Sequence, residues 1–424
     1  MSARVLGAAA CLRRFLPTAA SRAPRFIQPA TFVAGRRYAS AGSAAPAELA
    51  VEPSVGKSAG QKKKKKKPSI KAIAKQMEYI QDPWVLGKYI EDLLGKDKFD
   101  DAIMTVQLAS KKMEAVVSWN QLIDYQLSRD KMKIALGIFN DMKKRGQFPN
   151  AQTYTTLFRG LAKSQHPKNA VAEATKLFSL LKNDRRLQPN IIHVNAVLFV
   201  CSRAYDIDQL FLIASEIENL KLAPTTATYG CIFSAMRMYA RHAYRDLDKK
   251  TEADNIEKLL DRGKRIWIEV LEKWQKGKLQ LDESLICSMG RLQLIDKNRT
   301  QKLKVLELLE QTMNVPNLLN PRKAAKPTTP DETSSETAVV PSQQQNGRFI
   351  KPRQNTLTLI LTTLFSGRKI SLAPQYWDLF VNELKVKPDN DNWLRMIGML
   401  KQSKSSAYAA KLVGTLPVRK TARK

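Results

Sequence analysis

The chain has 424 residues, a formal net charge of +32, and 43% hydrophobic residues. An apolar fraction of this size supports a folded core and excludes a chain that is disordered throughout. No continuous apolar run is long enough to span a bilayer, so no transmembrane helix is expected.

The four cysteines and three histidines are scattered along the chain without metal-ligand spacing. This pattern argues against a zinc site and against a disulfide framework, and we expect neither a metal nor a cofactor. A net charge of +20 belongs to residues 68–424. Charge that persists beyond the amino terminus favours an acidic partner, nucleic acid above all, over a role in solubility or targeting alone.

Residues 1–47 contain seven arginines, no lysine and no acidic residue. This composition is typical of a mitochondrial transit peptide, whereas a secretory signal needs a continuous apolar core. The stretch Arg36–Ser40 predicts cleavage after Tyr38. We therefore expect residues 1–38 to be a transit peptide and the protein to reside in the mitochondrial matrix, with a disordered basic arm as the alternative.

Residues 39–68 are predicted to be a disordered linker that contains six consecutive lysines, Lys62–Lys67. Such a run cannot fold, because like charges repel and nothing apolar is present to be buried. The run either contacts RNA phosphates without sequence preference or serves as a solvated spacer.

Beyond Pro68 apolar residues recur at three- and four-residue steps, which predicts helices and no strands. Within this region the sequence repeats. Four large or apolar anchors are 35, 40 and 35 residues apart: Trp119, Tyr154, Val194 and Tyr229. The prolines that end the units shift with them, by 40 and then 35 residues: Pro149, Pro189 and Pro224. Two landmarks that shift together indicate a true repeat, and we expect its insertion around Ser164–Val171, between two helices.

Each unit predicts a helical hairpin. In the first unit Ile134–Phe139 opens the second helix, and the cations Lys143–Arg145 followed by Gly146 end it. Pro149 prevents the helix from continuing. Because one hairpin cannot bury both of its faces, neighbouring hairpins are expected to stack into a right-handed solenoid with a concave surface.

These features resemble the pentatricopeptide repeat family. Residues 116–150 follow its pattern, with a V-x-[YW]-N-x-L-I opening, an A-L helix turn and a closing G-x-x-P-[DN], and Trp119 replaces the usual tyrosine. The tetratricopeptide repeat has a related hairpin, but its W-x-x-L-G-x-x-Y opening is missing. The resemblance implies an all-α fold, an α-solenoid of stacked helical hairpins, with disordered basic N-terminal and C-terminal segments.

Helical hairpin repeats are predicted over residues 69–320, with clear units at 116–150, 151–190 and 191–225 and degenerate ones at 83–115 and 226–314. Within the last of these an insertion is expected, followed by a long charged helix over Arg262–Gln275. Four prolines followed by Ser, Thr and Gln predict a disordered loop at 321–347. Helical repeats are expected again at 348–415, before a basic tail at 416–424.

In the family, each hairpin presents one base-reading residue on its first helix and another at the end of the unit. By resemblance the pairs are Asn120 with Asn150, Thr155 with Asn190, and Asn195 with Thr225. Short amide and hydroxyl side chains suit hydrogen bonds to a base edge. The resemblance implies a pyrimidine, then adenine, then pyrimidine, while Gly230 offers the fourth unit no side chain. The alternative is that these residues only begin or cap helices.

Three residues, Val117, Gln152 and Ile192, fall where the family sandwiches a base, although apolar residues there also suit packing between repeats. Lys163 and Arg203 lie at the ends of first helices, where a cation can reach a phosphate. A solvated helix end explains these two equally well.

Catalysis has little support in the sequence, which lacks a phosphate-binding loop, a nuclease-like cluster of aspartates and a zinc deaminase motif. We therefore expect a monomeric, non-enzymatic protein that binds single-stranded mitochondrial mRNA or ribosomal RNA and supports RNA processing, stability or translation. Association with the mitochondrial ribosome is one form of this expectation. The alternatives are a protein-binding scaffold, such as a respiratory-complex or ribosome assembly factor, and an enzyme with an unrecognised C-terminal site.

Overall fold

The computed structural model describes residues 73, 75–319 and 349–414. The predicted transit peptide, the lysine-rich linker, the loop at 321–347 and the basic tail at 416–424 lie outside these residues. Within the described ranges the chain forms 16 α-helices and no strand, which confirms the all-α prediction there. None of the described helices combines the length and the apolar content needed to cross a bilayer.

The helices alternate along the chain as the first and second members of hairpins. The first helices are α1 (Pro83–Gly95), α3 (Val116–Ser128), α5 (Ala151–Ala162), α7 (Ile191–Arg203), α9 (Thr226–Ala243), α11 (Glu283–Gln293), α13 (Gln354–Ser366) and α15 (Asn390–Ser403). The second helices are α2 (Phe99–Ala109), α4 (Met132–Lys144), α6 (Pro167–Lys182), α8 (Ile207–Asn219), α10 (Lys249–Gln275), α12 (Arg299–Met313), α14 (Ala373–Asp378) and α16 (Ser406–Val413). A 3₁₀ turn precedes α14 and a π-helical turn follows it.

The first helices form a continuous row. Each packs against the first helices before and after it, from α1 with α3 to α13 with α15, and against the second helix of its own hairpin. Consecutive second helices make much sparser contacts with one another. Because the first helices lie closer together, they form the inner side of the stack, as in a solenoid of helical hairpins.

The four anchor residues of the sequence repeat are buried in the core. Trp119, Tyr154, Val194 and Tyr229 are all exposed by 3% or less. The indole Nε1 of Trp119 also donates a hydrogen bond of 2.9 Å to Ser110 Oγ. At the end of α4, Gly146 adopts a φ of 72°, a conformation that glycine tolerates best and that turns the chain towards the next hairpin.

The insertion in the second unit lies elsewhere than the sequence indicated. The segment between α5 and α6 covers only residues 163–166, whereas α6 has 16 residues and α4 has 13. Pro167 occupies the first turn of α6, where its missing N–H has no helical partner to lose. The expected loop insertion is therefore wrong: the extra residues lengthen α6 and the linker that follows it.

The long charged helix begins earlier than predicted, at Lys249 rather than Arg262. The Asp248 side chain accepts a hydrogen bond from the Thr251 N–H and caps its first turn. Apolar residues such as Ile256 and Leu260 are buried along this early part. An amphipathic face thus extends the helix through the segment that the sequence suggested was an insertion.

His193 joins two repeats and is a source of pH dependence. Its Nδ1 accepts a hydrogen bond from the Asn190 N–H, and its Nε2 lies 3.0 Å from the Ala151 carbonyl oxygen, which suits a neutral ring with its proton on Nε2. Desolvation by burial lowers the pKa of His193, and the hydrogen bond to Ala151 offsets this only in part.

We expect the protein to lose stability as the pH falls below about 6.5. The unfolded chain binds the His193 proton there while the folded chain resists it, so protons favour unfolding. Melting temperatures between pH 7.5 and 5.5 measure this loss. His193→Thr is the matched variant, because Thr153 and Thr228 hold the same helix position in the adjoining repeats. An equal loss in this variant would show that another group is responsible.

Candidate nucleic-acid interface

One stripe of each first helix is left uncovered by the neighbouring helices. In α7 the stripe contains Ile192, Asn195, Phe199 and Arg203, which recur at three- and four-residue steps, whereas Val194 between them is fully buried. We call the surface formed by these stripes the inner face. In the neighbouring helices it comprises Val117, Asn120 and Asp124 of α3, Gln152, Thr155, Arg159 and Lys163 of α5, Ala227, Gly230, Ser234, Arg237 and Arg241 of α9, and Ser284, Cys287 and Arg291 of α11.

The three residues predicted to sandwich bases project from the first turns of adjacent helices. Val117 is 60% exposed, Ile192 is 55% exposed, and Gln152 is also exposed. Residues that packed between repeats would be covered by a neighbouring helix. Their exposure therefore weighs against the packing alternative, and base stacking stays the prediction for them.

The first-helix reading residues lie one turn further along, on the floor of the inner face. Asn120 is 8% exposed and its Oδ1 has no hydrogen-bond partner among the described residues. The Thr155 hydroxyl donates to the Ala151 carbonyl oxygen at 2.8 Å. A buried amide oxygen without a donor is costly, so Asn120 is the member of this set best prepared to accept a hydrogen bond from a ligand.

The reading residues at the ends of the units are helix caps. Asn150, Asn190 and Thr225 are the N-caps of α5, α7 and α9, and each forms a reciprocal capping box with the residue three positions later. The side-chain oxygens of these three residues therefore act as helix caps, as the alternative interpretation expects. The Nδ2 groups of Asn150 and Asn190 form no hydrogen bond within the described ranges and are free to donate.

The third pair differs from the other two. Asn195 donates from Nδ2 to Thr225 Oγ1 at 3.4 Å, and its Oδ1 accepts from Thr228 Oγ1 at 2.7 Å. The two predicted readers of this unit are therefore already joined to each other and to the capping box. A base that binds Asn195 has to replace these hydrogen bonds, which lowers the net gain in free energy.

The charge of the inner face changes sign along the stack. Glu91 of α1 and Asp124 of α3 are exposed at its amino-terminal end. From α5 to α11 the face carries six cations: Arg159, Lys163, Arg203, Arg237, Arg241 and Arg291. None of the six belongs to an ion pair with a described residue. This part of the face attracts a polyanion.

The predicted phosphate contacts belong to this group. Lys163 is the C-cap of α5 and Arg203 is the last residue of α7, and both are exposed. A cation at a helix C-terminus is also stabilised by the helix dipole, so the solvated-end interpretation stays open for both residues.

Three cysteines lie in the described ranges: Cys201 and Cys287 are buried, and Cys231 is half-buried. Desolvation by burial raises the pKa of Cys201, Cys231 and Cys287 to about 12. They are consequently protonated and unreactive at neutral pH. No group of three or more His, Cys, Asp or Glu side chains in the described ranges is placed to hold a metal ion.

Several members of the inner face were not predicted from the sequence. Arg159 and Phe199 continue the stripes that begin at the predicted base contacts, and Arg237, Arg241 and Arg291 lie on the corresponding stripes of α9 and α11. The three- and four-residue spacing of these stripes is visible in the sequence. Extending the helical periodicity of Gly230 along α9 would have identified Arg237 and Arg241.

Comparison with known proteins places repeats in the same region. Residues 114–163 match the PPR repeat family, and residues 180–237 match the pentatricopeptide repeat domain. "Pentatricopeptide repeat-containing protein 2, mitochondrial" from Schizosaccharomyces pombe is 26% identical over 243 residues, which cover 55% of this chain and 53% of the relative. "Pentatricopeptide repeat-containing protein 1, mitochondrial" from Mus musculus is 35% identical over 106 residues, which cover 24% of this chain and 15% of the relative.

Among solved structures, the maize pentatricopeptide repeat protein PPR10 in complex with an 18-nt psaJ RNA element is 12% identical, with a TM-score of 0.35. That alignment covers 83% of this chain and 51% of the maize chain. The matches to the two relatives are partial. The chain spans about half the length of the S. pombe protein and 15% of the length of the mouse protein.

Proposed function

We propose that this chain, whose residues 114–163 and 180–237 match pentatricopeptide repeats, binds single-stranded RNA along its inner face. The observation that carries the proposal is the run of six cations, without ion-pair partners among the described residues, that begins beside the predicted base contacts of α5 and continues to α11. Such a run is matched by a phosphate backbone, whose binding releases counterions.

The geometry of the inner face suits one base per hairpin. Adjacent packed helices are separated by about 8–10 Å, and stacked helical repeats of this kind read one base per repeat. Val117, Gln152 and Ile192 are exposed in the first turns of α3, α5 and α7, so two successive residues of this set flank one base. Asn120 and Thr155, on the floor of the inner face, can form hydrogen bonds with a base held between these residues.

We assign the chain a non-catalytic role in which bound RNA is shielded from nucleases or presented to a processing or translation machine. The arginine-rich leader supports a location in the mitochondrial matrix, and both relatives named above are described as mitochondrial. The high net charge supports an association with ribosomal RNA and the mitochondrial ribosome.

A protein-binding scaffold is the second candidate, and the carboxyl-terminal end of the inner face favours it. Phe365 of α13 is 53% exposed and Leu394 of α15 is 71% exposed. Both line a cleft of about 450 Å³ whose other residues include Gly398 and Met399. Exposed apolar groups around a cleft suit a protein side chain better than a phosphate.

Crosslinking and sequencing of RNA bound to the tagged protein inside mitochondria tests the proposal, with Asn120→Ala/Thr155→Ala/Asn195→Ala as the comparison. Sharp footprints that vanish in the triple variant are the expected result for base reading. Broad ribosomal RNA footprints that persist in the variant would assign binding to charge and shape. Absence of RNA enrichment would overturn RNA binding and leave the scaffold.

A further inference from the structure

Three arginines meet on the inner face between α9 and α11. Arg237 and Arg241 lie four residues apart on α9 and therefore project from the same side of the helix. Arg291 lies on α11, which packs directly against α9. Burial lowers the pKa of Arg237, and the positive charges of Arg241 and Arg291 lower it further, so both of these cations act on the Arg237 guanidinium group.

No acidic side chain among the described residues forms an ion pair with this cluster. Arg237 is half-buried, and neither it nor Arg241 forms a hydrogen bond or an ion pair with its side chain in the part of the chain that the structure describes. Arg291 makes one long hydrogen bond, 3.4 Å from its Nη2 to Asn355 Oδ1, which is a neutral acceptor. No acidic group is among the charges that shift the Arg237 pKa. Partly buried charges that repel one another are costly without a bound anion.

The arginine cluster lies on α9 and α11, directly after the helices that carry the predicted base contacts. The residue of α9 that corresponds to Asn195 is Gly230, which has no side chain, and a β-carbon added there would lie in open space. The corresponding residue of α11 is Cys287, which is buried. An RNA that follows the inner face from α3 therefore meets hydrogen-bonding groups for bases on α3, α5 and α7, and mainly cations on α9 and α11.

We infer that Arg237, Arg241 and Arg291 form a binding site for a phosphate group of RNA. Guanidinium groups present paired N–H donors that fit the oxygens of a phosphate. A terminal phosphomonoester, with a charge near −2, and an internal phosphodiester, with a charge of −1, share this chemistry. The inference rests on the proposed function, because the phosphate belongs to the RNA held on the inner face.

The test measures the affinity of the full chain for one short single-stranded RNA with three kinds of ends: a 5′-phosphate, a 3′-phosphate, or hydroxyls at both ends. Arg237→Gln/Arg241→Gln/Arg291→Gln is compared with Lys249→Gln/Lys258→Gln/Arg265→Gln. The three control residues are exposed on α10, and their replacement removes as much positive charge as the arginine variant does. Arg241→Gln alone is a second variant that alters only an exposed side chain.

We expect the arginine variant to bind at least about tenfold more weakly than the control, and the slope of log K against log salt to become shallower by about 0.7, the contribution of one phosphate contact. Arg241→Gln alone should weaken binding about threefold to fivefold. A loss confined to phosphorylated ends would identify the terminal monoester, and an equal loss for all three RNAs would identify an internal phosphodiester. Without RNA the arginine variant should melt no lower than the wild type, because repulsion has been removed.

The inference is overturned if the arginine variant and the control lose the same affinity while the wild type binds RNA. Failure of the wild type to bind any of the three RNAs would instead reject the proposed function. The two failures are therefore distinguishable within one set of measurements.

Discussion

Replacing Arg159, Lys163 and Arg203 together by glutamine is expected to weaken the binding of single-stranded RNA about 10- to 100-fold at about 0.15 M salt. These cations lie on the inner faces of α5 and α7, next to the predicted base contacts, and none is neutralised by an acidic side chain that the structure describes. Each phosphate contact with a single strand contributes about −0.7 to the slope of log K against log salt. The slope should therefore become shallower by about 2, as measured by fluorescence anisotropy over a salt series.

The matched control is Lys133→Gln/Lys168→Gln/Lys258→Gln, which removes three exposed cations from the second helices α4, α6 and α10. It changes the net charge equally but leaves the inner face intact. If both variants lose the same affinity and the same slope, RNA is held by the overall charge rather than by the inner face. Melting temperatures of both variants check that the helix ends at Lys163 and Arg203 still form.

Trp119→Ala is expected to destabilise the protein by about 3–5 kcal/mol, the usual range for removing a fully buried tryptophan. Trp119 has no exposed surface and fills the position at which α3 packs against its neighbours, and its Nε1 donates to Ser110 Oγ. The variant loses both the buried area and this hydrogen bond. Urea unfolding followed by circular dichroism measures the difference in the free energy of unfolding.

Trp119→Tyr is the matched variant, because Tyr154 and Tyr229 occupy the same position in other repeats. We expect it to cost less than half as much as the alanine variant, since an aromatic ring remains in the cavity. Stabilities are linked between neighbouring repeats, so the loss at α3 should also make the melting of α1 and α5 easier. Equal losses in the free energy of unfolding for the two variants would contradict the claim that an aromatic ring at this position stabilises the repeat.

The sequence was sufficient to predict the fold of the repeated region. Trp119, Tyr154, Val194 and Tyr229 share one position because each is the buried centre of a first helix, and burial is what makes such a pattern periodic. The same logic failed around Pro167. A proline marks a loop and also begins helices, and only the packing of α6 against α5 and α7 decides between the two.

The start of α10 could not be predicted for a related reason. Residues 244–261 contain many charges and no repeat landmark, which suggested an insertion. Their few apolar residues, such as Ile256 and Leu260, lie on one side and are buried. A sparse amphipathic pattern is recognised as a helix only when the surface it packs against is known.

The candidate site was predictable only where family resemblance supplied positions. Asn120 and Thr155 were found in this way, and both lie on the floor of the inner face. The arginine cluster was not found, because a single arginine on a helix is unremarkable. Arg237 and Arg291 are brought together by the packing of α9 against α11, across the whole length of α10. Such long-range proximity is a property of the fold.

Mapping ultraviolet crosslinks between the purified chain and a single-stranded RNA by mass spectrometry tests the central claim most directly. Crosslinked peptides should come from the first helices α3, α5, α7 and α9, with Val117, Gln152 and Ile192 among the modified residues. Crosslinks confined to the second helices, or to the apolar cleft beside Leu394, would contradict an RNA-binding inner face.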